Sequence, residues 1–182
     1  MNIVEPIRKK SDLLKVKKLL SIQSQRNLLL FHLGINTGLR ISDILKLKVN
    51  NVKNKDYITI IETKTKKYRK IKLSKVLKQI INEFVKFKNL EDYLFKSRKG
   101  INNPISRIQA YRIIKTACKK ANINQNFGTH TLRKTFGYHF YKKTKDIVLL
   151  QNILNHSSQS VTLRYIGLTQ DLIDKSLNNF VL

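Results

Sequence analysis

The sequence predicts a mainly helical α+β domain that carries one small antiparallel sheet, expected to have three strands. Three observations lead there. Apolar residues recur at helical spacing through most of the chain, and the spacing switches to strict alternation over one stretch only. Pro6 and Pro104 are the only prolines among the 182 residues, so little interrupts the helices. No internal repeat or low-complexity linker divides the chain, its length suits one domain, and its 41% apolar residues suffice for a buried core.

Taken in order, residues 1–10 read as a short basic arm. From 11 to 24, Leu13, Leu14, Val16, Leu19 and Leu20 keep helical spacing, with Ser11 as the expected N-cap. A second helix over about 25–36 stops at Gly38, a residue at ease in the left-handed terminator. Arg40 opens a short helix that turns Ile41, Ile44, Leu45 and Leu47 inward. The period then becomes two. Tyr57–Ile61 and Tyr68–Leu73 read as a hairpin around the basic loop Thr63–Lys67, and a third strand is expected near Lys48–Val52. Helices follow over about 74–88, 106–121, 130–143, 146–154, 159–165 and 169–178, with an extended segment at Tyr93–Lys96.

Charge narrows the function. With 37 Lys and Arg against 11 Asp and Glu, the formal net charge is +26. Such a chain repels itself unless a polyanion neutralises it, and nucleic acid is the commonest such partner. A ribosomal or RNA-binding module and a membrane-surface protein share that property. Only nine of the cations are Arg, so each Arg marks a place where a planar fork is wanted rather than charge alone. The single cysteine, Cys118, excludes an intrachain disulfide, offers no Cys-based zinc site, and reads as a buried small apolar residue. The N-terminus has no signal-peptide pattern and no apolar run is longer than the four residues of Leu28–Phe31, so a cytosolic protein is expected.

Several short motifs carry chemistry, and each alone has an ordinary explanation. Arg40, in Thr37-Gly38-Leu39-Arg40, sits at a helix N-terminus where backbone N–H groups favour an anion. Asp43, three residues on, is placed to orient the fork, and a surface ion pair would look the same. His130 and Arg133, in His130-Thr131-Leu132-Arg133, point the same way at a helix start, as in any solvated basic face. His156 follows Leu154-Asn155, where a left-handed Asn aims it by a tight turn, although capping histidines are common there. Tyr165 lies nine residues later on a short helix that Ser158 or Ser160 would cap, and a tyrosine beside Ile166 is most often a packing residue. The hairpin loop offers Lys64, with Lys66 and Lys67 as competitors.

Together, in this order and spacing, these motifs resemble the tyrosine recombinase, or phage integrase, family over about residues 20–175. The resemblance implies that family's catalytic fold. It casts Arg40 and Arg133 as phosphate-clamping arginines, Tyr165 as the nucleophile, His130 as general acid/base and His156 as the second histidine. Asp43 matches the acidic residue that follows the first arginine, and the catalytic lysine maps to Lys64 when counted back from Arg69. Asn155 stands where a glycine is usual before the second histidine. Most members carry a separate N-terminal helical domain, for which the residues ahead of the pattern are too few. The chain therefore resembles the short fimbrial-switch invertases, a single catalytic domain over 1–182. A tail over 168–182, with Leu172, Ile173, Leu177, Phe180, Val181 and Leu182, is expected to dock on a neighbouring subunit.

The chemistry suits these groups. No metal and no cofactor are implied, so two guanidinium forks must offset the charge that builds on the phosphoryl oxygens. A free tyrosine hydroxyl has a pKa of about 10. The nearby Arg charges are expected to favour the phenolate, with His130 accepting the proton. Lys64 would protonate the leaving 5′ oxygen, and His156 would hydrogen-bond a non-bridging oxygen. Double-stranded DNA is the expected partner, with Lys66, Lys67, Arg69, Arg107 and Arg112 among its contacts. The family further implies a tetramer on DNA and accessory DNA-bending proteins. A topoisomerase-like strand relaxer, a non-catalytic DNA-binding relative and an RNA-binding module are the competing functions.

Overall fold

The computed structural model describes residues 4–128, 130–168, 177–178 and 180. In chain order it contains α1 (Lys10–Gln23), α2 (Gln25–Thr37), α3 (Ile41–Leu45), β1 (Tyr57–Ile61) and β2 (Tyr68–Lys72). These are followed by α4 (Lys75–Val85), α5 (Arg107–Lys120), α6 (Thr131–Thr144), α7 (Ile147–Leu154) and α8 (Gln159–Ile166). None of the helices among the described residues is long and apolar enough to cross a membrane.

Helix α2 is the hub because it is apolar on two sides. Leu29, Leu30 and Leu33 face a cluster with Ile44 and Leu47, with Ile58 of β1 and with Leu77 and Ile81 of α4. Phe31 faces a second cluster with Ile7, Val16 and Leu20 on one side and Ile114, Cys118 and Leu132 on the other. Each such side chain contributes about 1.5–3 kcal/mol when fully buried. A third cluster, Tyr138, Leu150, Leu154, Ile166 and Leu168, binds α6, α7 and α8 together. Two glycines inside helices permit close helix packing. A Cβ at Gly34 would meet Leu132 Cδ1 at 2.4 Å, and one at Gly137 would meet Ile166 Cγ2 at 2.7 Å. Cys118 is buried, as its helical spacing predicts, and burial pushes its thiol up to about 12.

The sheet has two strands rather than three, paired antiparallel from Tyr57↔Lys72 to Ile61↔Tyr68. The expected third strand contributes one antiparallel bridge, Lys48↔Tyr93, and then coils into a 3₁₀ turn at Val49–Asn51. The reason is local. The Asn51 side chain accepts a hydrogen bond from the Lys48 N–H at 2.8 Å, which draws the backbone out of an extended path. The segment Tyr93–Lys96 is bridged at both ends, to Lys48 and to Pro104.

The first helix starts before Ser11. Lys9 is its N-cap, with no side-chain hydrogen bond to the helix. Residues 4–9 are not a loose basic arm either, since Ile7 is 1% exposed and its peptide group is bonded on both sides to α6. Most of the predicted helix over 169–178, and most of the tail predicted to dock on a neighbour, lie outside the described residues.

Candidate active site

Helix α2 ends at Gly38 in the left-handed conformation, with φ 64° and ψ 14°. A Cβ there would also sit 2.6 Å from Phe136 Cδ1 on α6, so a side chain at this position would displace the turn that presents Arg40. Arg40 is the N-cap of α3 and its backbone is extended, φ −70° and ψ 146°. Its side chain therefore leaves along the hairpin instead of lying on the face that carries Asp43.

The carboxylate beside Arg40 is Glu62, not Asp43. Glu62 Oε2 lies 2.9 Å from Arg40 Nη1, and Oε1 lies 3.0 Å from Arg69 Nη1. The Thr65 hydroxyl donates to the same carboxylate at 2.6 Å. Burial acts to raise the Glu62 pKa, but the hydrogen bonds from Thr65, Arg69 and Arg40 outweigh it and hold the group down at about 2. Asp43 does different work. Its Oδ1 accepts a hydrogen bond from the Thr63 backbone N–H at 2.9 Å, tying the hairpin loop to α3. Sequence reasoning missed Glu62 because a single acidic residue after a strand carries no local signal of burial.

Arg133 is almost fully buried. It donates to the Gly38 carbonyl at 2.7 Å and to the Leu154 carbonyl at 2.5 Å, the end regions of α2 and α7 respectively. Three further N–H donors of its fork remain for other acceptors. Burial brings its pKa down to about 10, so the group is a cation at neutral pH.

Tyr165, near the end of α8, faces both histidines. Its Oη is 3.4 Å from His130 Nδ1, and its ring stands edge-on to the His156 ring with centroids 4.8 Å apart. Ser158 caps α8 by accepting from the Val161 N–H, as its position predicts. Asn155 adopts the left-handed conformation at φ 51° and ψ 51°, which turns the chain so that His156 meets α8. Gly137 is what lets α8 lie this close to α6. The Lys134 ammonium sits over the Tyr165 ring, 5.2 Å from its centroid.

Electrostatics at the site run against the expected phenolate. Burial raises the Tyr165 hydroxyl above its ordinary pKa, and the charges of Arg133 and Arg40 oppose this without overcoming it. Burial lowers His130, helped by the charges of Arg133, Arg40, Lys134 and Lys64. Burial and the same two arginines bring His156 down to about 4. The site at neutral pH thus holds a protonated phenol beside two unprotonated imidazoles.

Lys64 lies across a cleft of about 520 Å³ whose lining also includes Arg40, Thr63, Arg107, Tyr111 and His130. Arg107 is thus brought to the cleft, whereas Arg112 lines a separate groove with Lys99 and Ser106. Lys66 adopts a left-handed backbone, φ 57°, where the loop returns to the hairpin, its N–H donating to the Glu62 carbonyl at 2.9 Å. Lys67 donates to the Asn155 side chain at 3.2 Å. Arg69, expected to face DNA, is committed to Glu62 and largely covered. Among the described residues no group of His, Cys, Asp and Glu is arranged to hold a metal ion.

The chain as a whole is similar to known proteins. The family model described as "Phage integrase family" matches residues 10–171. The "Probable integrase/recombinase YoeC" of Bacillus subtilis is 53% identical over 171 residues, covering 94% of this chain and 93% of that protein. The "Tyrosine recombinase XerH" of Campylobacter jejuni is 32% identical over 80% of this chain, which spans 42% of that longer protein. Among solved structures, the XerA recombinase superposes with a TM-score of 0.77 at 20% identity, over 98% of this chain and 66% of that one. That likeness establishes the fold. With a family match across most of its length and a relative identical at half its positions, the chain belongs to the phage integrase family of tyrosine recombinases, enzymes that break and rejoin DNA.

Proposed function

We propose that this chain cuts one DNA strand at a specific site, holds the end as a 3′-phosphotyrosyl bond to Tyr165, and rejoins it to a different strand. The observation that carries the reading is the meeting of Tyr165 with His130 and His156 inside the field of Arg40 and Arg133. The phenol is protonated in the free protein, so attack requires a base in contact, and unprotonated His130 supplies it. The Tyr165 oxygen bonds to phosphorus and its proton passes to His130. The P–O5′ bond breaks, and Lys64 gives a proton to the departing oxygen. Arg40 and Arg133 hydrogen-bond the non-bridging oxygens, joined by His156. Rejoining is the reverse attack by a 5′-hydroxyl, so the bond energy is conserved. Asp43 supports the site through the Thr63 backbone rather than through Arg40.

The outcome class is integration, inversion or excision through a Holliday junction. The partner is double-stranded DNA in the cytoplasm, gripped near the cleft by Arg107, Lys66 and Lys67 and further out by Arg112. The chain acts as a single catalytic domain that assembles as a tetramer on DNA with accessory bending proteins, its 168–182 tail docking on the next subunit.

A library of nicked suicide duplexes tests the reading. A denaturation-resistant protein–DNA adduct with a 3′-phosphate link is expected, and it should disappear in Tyr165→Phe. No adduct on any duplex that the protein binds specifically would overturn it.

A further inference from the structure

The segment Glu5–Arg8 runs as a strap across α6 to the end of α8. Its hold on α6 is made through the backbone. The Ile7 N–H donates to Thr135 Oγ1 at 2.9 Å, and His139 Nε2 donates to the Ile7 carbonyl at 2.9 Å. Further back, the Glu5 N–H donates to the Asn126 carbonyl at 3.0 Å and the Gln125 side chain donates to the Pro6 carbonyl at 3.1 Å. The Ile7 side chain is sunk in the cluster with Phe31 and Val16. These contacts leave the strap little freedom to slide.

From this anchored base Arg8 reaches the helix that bears the tyrosine. Its Nη2 donates to the carbonyl of Gly167 at 2.9 Å, and Gly167 is the left-handed C-cap of α8, two residues past Tyr165. A cation at a helix C-terminus meets unsatisfied carbonyls and the negative end of the helix dipole. The guanidinium is itself held on two sides, by Glu5 Oε2 at 3.5 Å and by the Tyr138 ring, 5.5 Å from the centroid. Tyr138 belongs to α6, the helix that carries Arg133 and whose N-cap is His130. Glu5 also acts on Lys134, the cation over the Tyr165 ring.

We propose that Arg8 is a positioning residue for Tyr165: by fixing the C-terminus of α8 against α6, it sets the approach of the Tyr165 hydroxyl to His130. Arg8 does not touch the reacting atoms and acts through the end of α8. For its kinetic consequence the proposal rests on the strand-cleavage reading, but its geometric content does not.

Two measurements keep those apart. With the protein labelled at tyrosine Cζ, the Tyr165 carbon resonance is assigned in the free protein by its loss in Tyr165→Phe. Arg8→Ala should move that resonance and alter its response to pH, Arg8→Lys should restore much of the original signal, and Glu5→Gln should shift it in the same direction as Arg8→Ala by less. A Tyr165 resonance unchanged in a folded Arg8→Ala protein overturns the proposal, whatever the reaction. On a suicide duplex at saturating protein, Arg8→Ala should slow adduct formation about 10- to 100-fold, the scale of a misplaced reacting group. DNA affinity should change less than about twofold, since the guanidinium is engaged by Gly167, Glu5 and Tyr138. A slowing that disappears at saturating protein would make Arg8 a DNA contact and would equally overturn the positioning role. Absence of any adduct with the wild-type protein counts against the cleavage reading and leaves the resonance result to decide the geometry.

Discussion

The Glu62 carboxylate lies 2.9 Å from the Arg40 guanidinium with none of its side chain exposed to solvent. Because it also holds Arg69 and Thr65, one buried charge ties the clamp arginine to the hairpin loop that carries Lys64. Breaking a buried pair by removing one partner typically costs about 3–5 kcal/mol. Glu62→Ala should therefore lower the melting temperature by about 10 °C in a thermal scan. The sign of the pH effect follows from the depressed pKa. The unfolded chain binds a proton near 4.5 and the folded one near 2, so the stabilisation is complete above about pH 5 and is lost as pH falls from 4.5 toward 2. Melting curves of Glu62→Gln should show a shallower fall over that window than the wild type, and an equal fall would place the acid sensitivity elsewhere.

Lys64 should behave as a general acid and nothing more. Lys64→Ala is expected to slow cleavage by about 10²–10⁴-fold, the usual weight of such a group. A duplex with a bridging 5′ sulfur needs no proton on its leaving group and should restore the rate. If Lys66→Ala shows the rescue instead, the acid is Lys66, which shares the hairpin loop.

His156 should take up a proton when a phosphate enters. The Thr162 hydroxyl donates to the Ser158 carbonyl at 2.9 Å, so its oxygen receives the hydrogen bond from His156 Nδ1 at 3.2 Å. A neutral imidazole has one N–H, which leaves Nε2 without a proton to offer an anion. Donation to a phosphate therefore requires the cationic ring, and the incoming negative charge raises its pKa from about 4. Calorimetry of DNA binding in buffers of different ionisation enthalpy should show proton uptake near pH 6. Thr162→Val frees the other tautomer and should remove that uptake. Binding with no net proton change in the wild type would sink this account.

Gly137 should matter to chemistry more than to folding. A methyl group there would meet Ile166 at 2.7 Å, and Ile166 follows Tyr165 directly. Overpacking of this kind usually costs about 1–3 kcal/mol. Gly137→Ala should stay folded by circular dichroism yet lose most cleavage, because α8 must move away from α6. A variant that cleaves at the wild-type rate would show that the site tolerates that displacement.

The order of elements and the identity of the central groups were readable because their signals are local. Gly38 and Asn155 announce helix ends through their own backbone preferences and Ser158 through its capping side chain, and those ends present Arg40, His156 and Tyr165. What could not be read depends on distant partners. Asp43 has helical spacing from Arg40, but Arg40 stands outside the helix, so the spacing had no consequence. Glu62 gains its role only when α3 and the hairpin meet. The 1–10 arm is basic by composition, yet the bonds that hold Ile7 come from Thr135 and His139, more than 120 residues away.

Arg133 carries a practical lesson for anyone who wants an inactive control. Its two carbonyl acceptors lie at the ends of α2 and α7, so shortening it strands both in the interior and loosens the joint between those two helices. A dead Arg133→Ala protein would report collapse and lost chemistry in one number. Tyr165→Phe removes a single oxygen and leaves both carbonyl bonds of Arg133 in place, which makes it the cleaner blank.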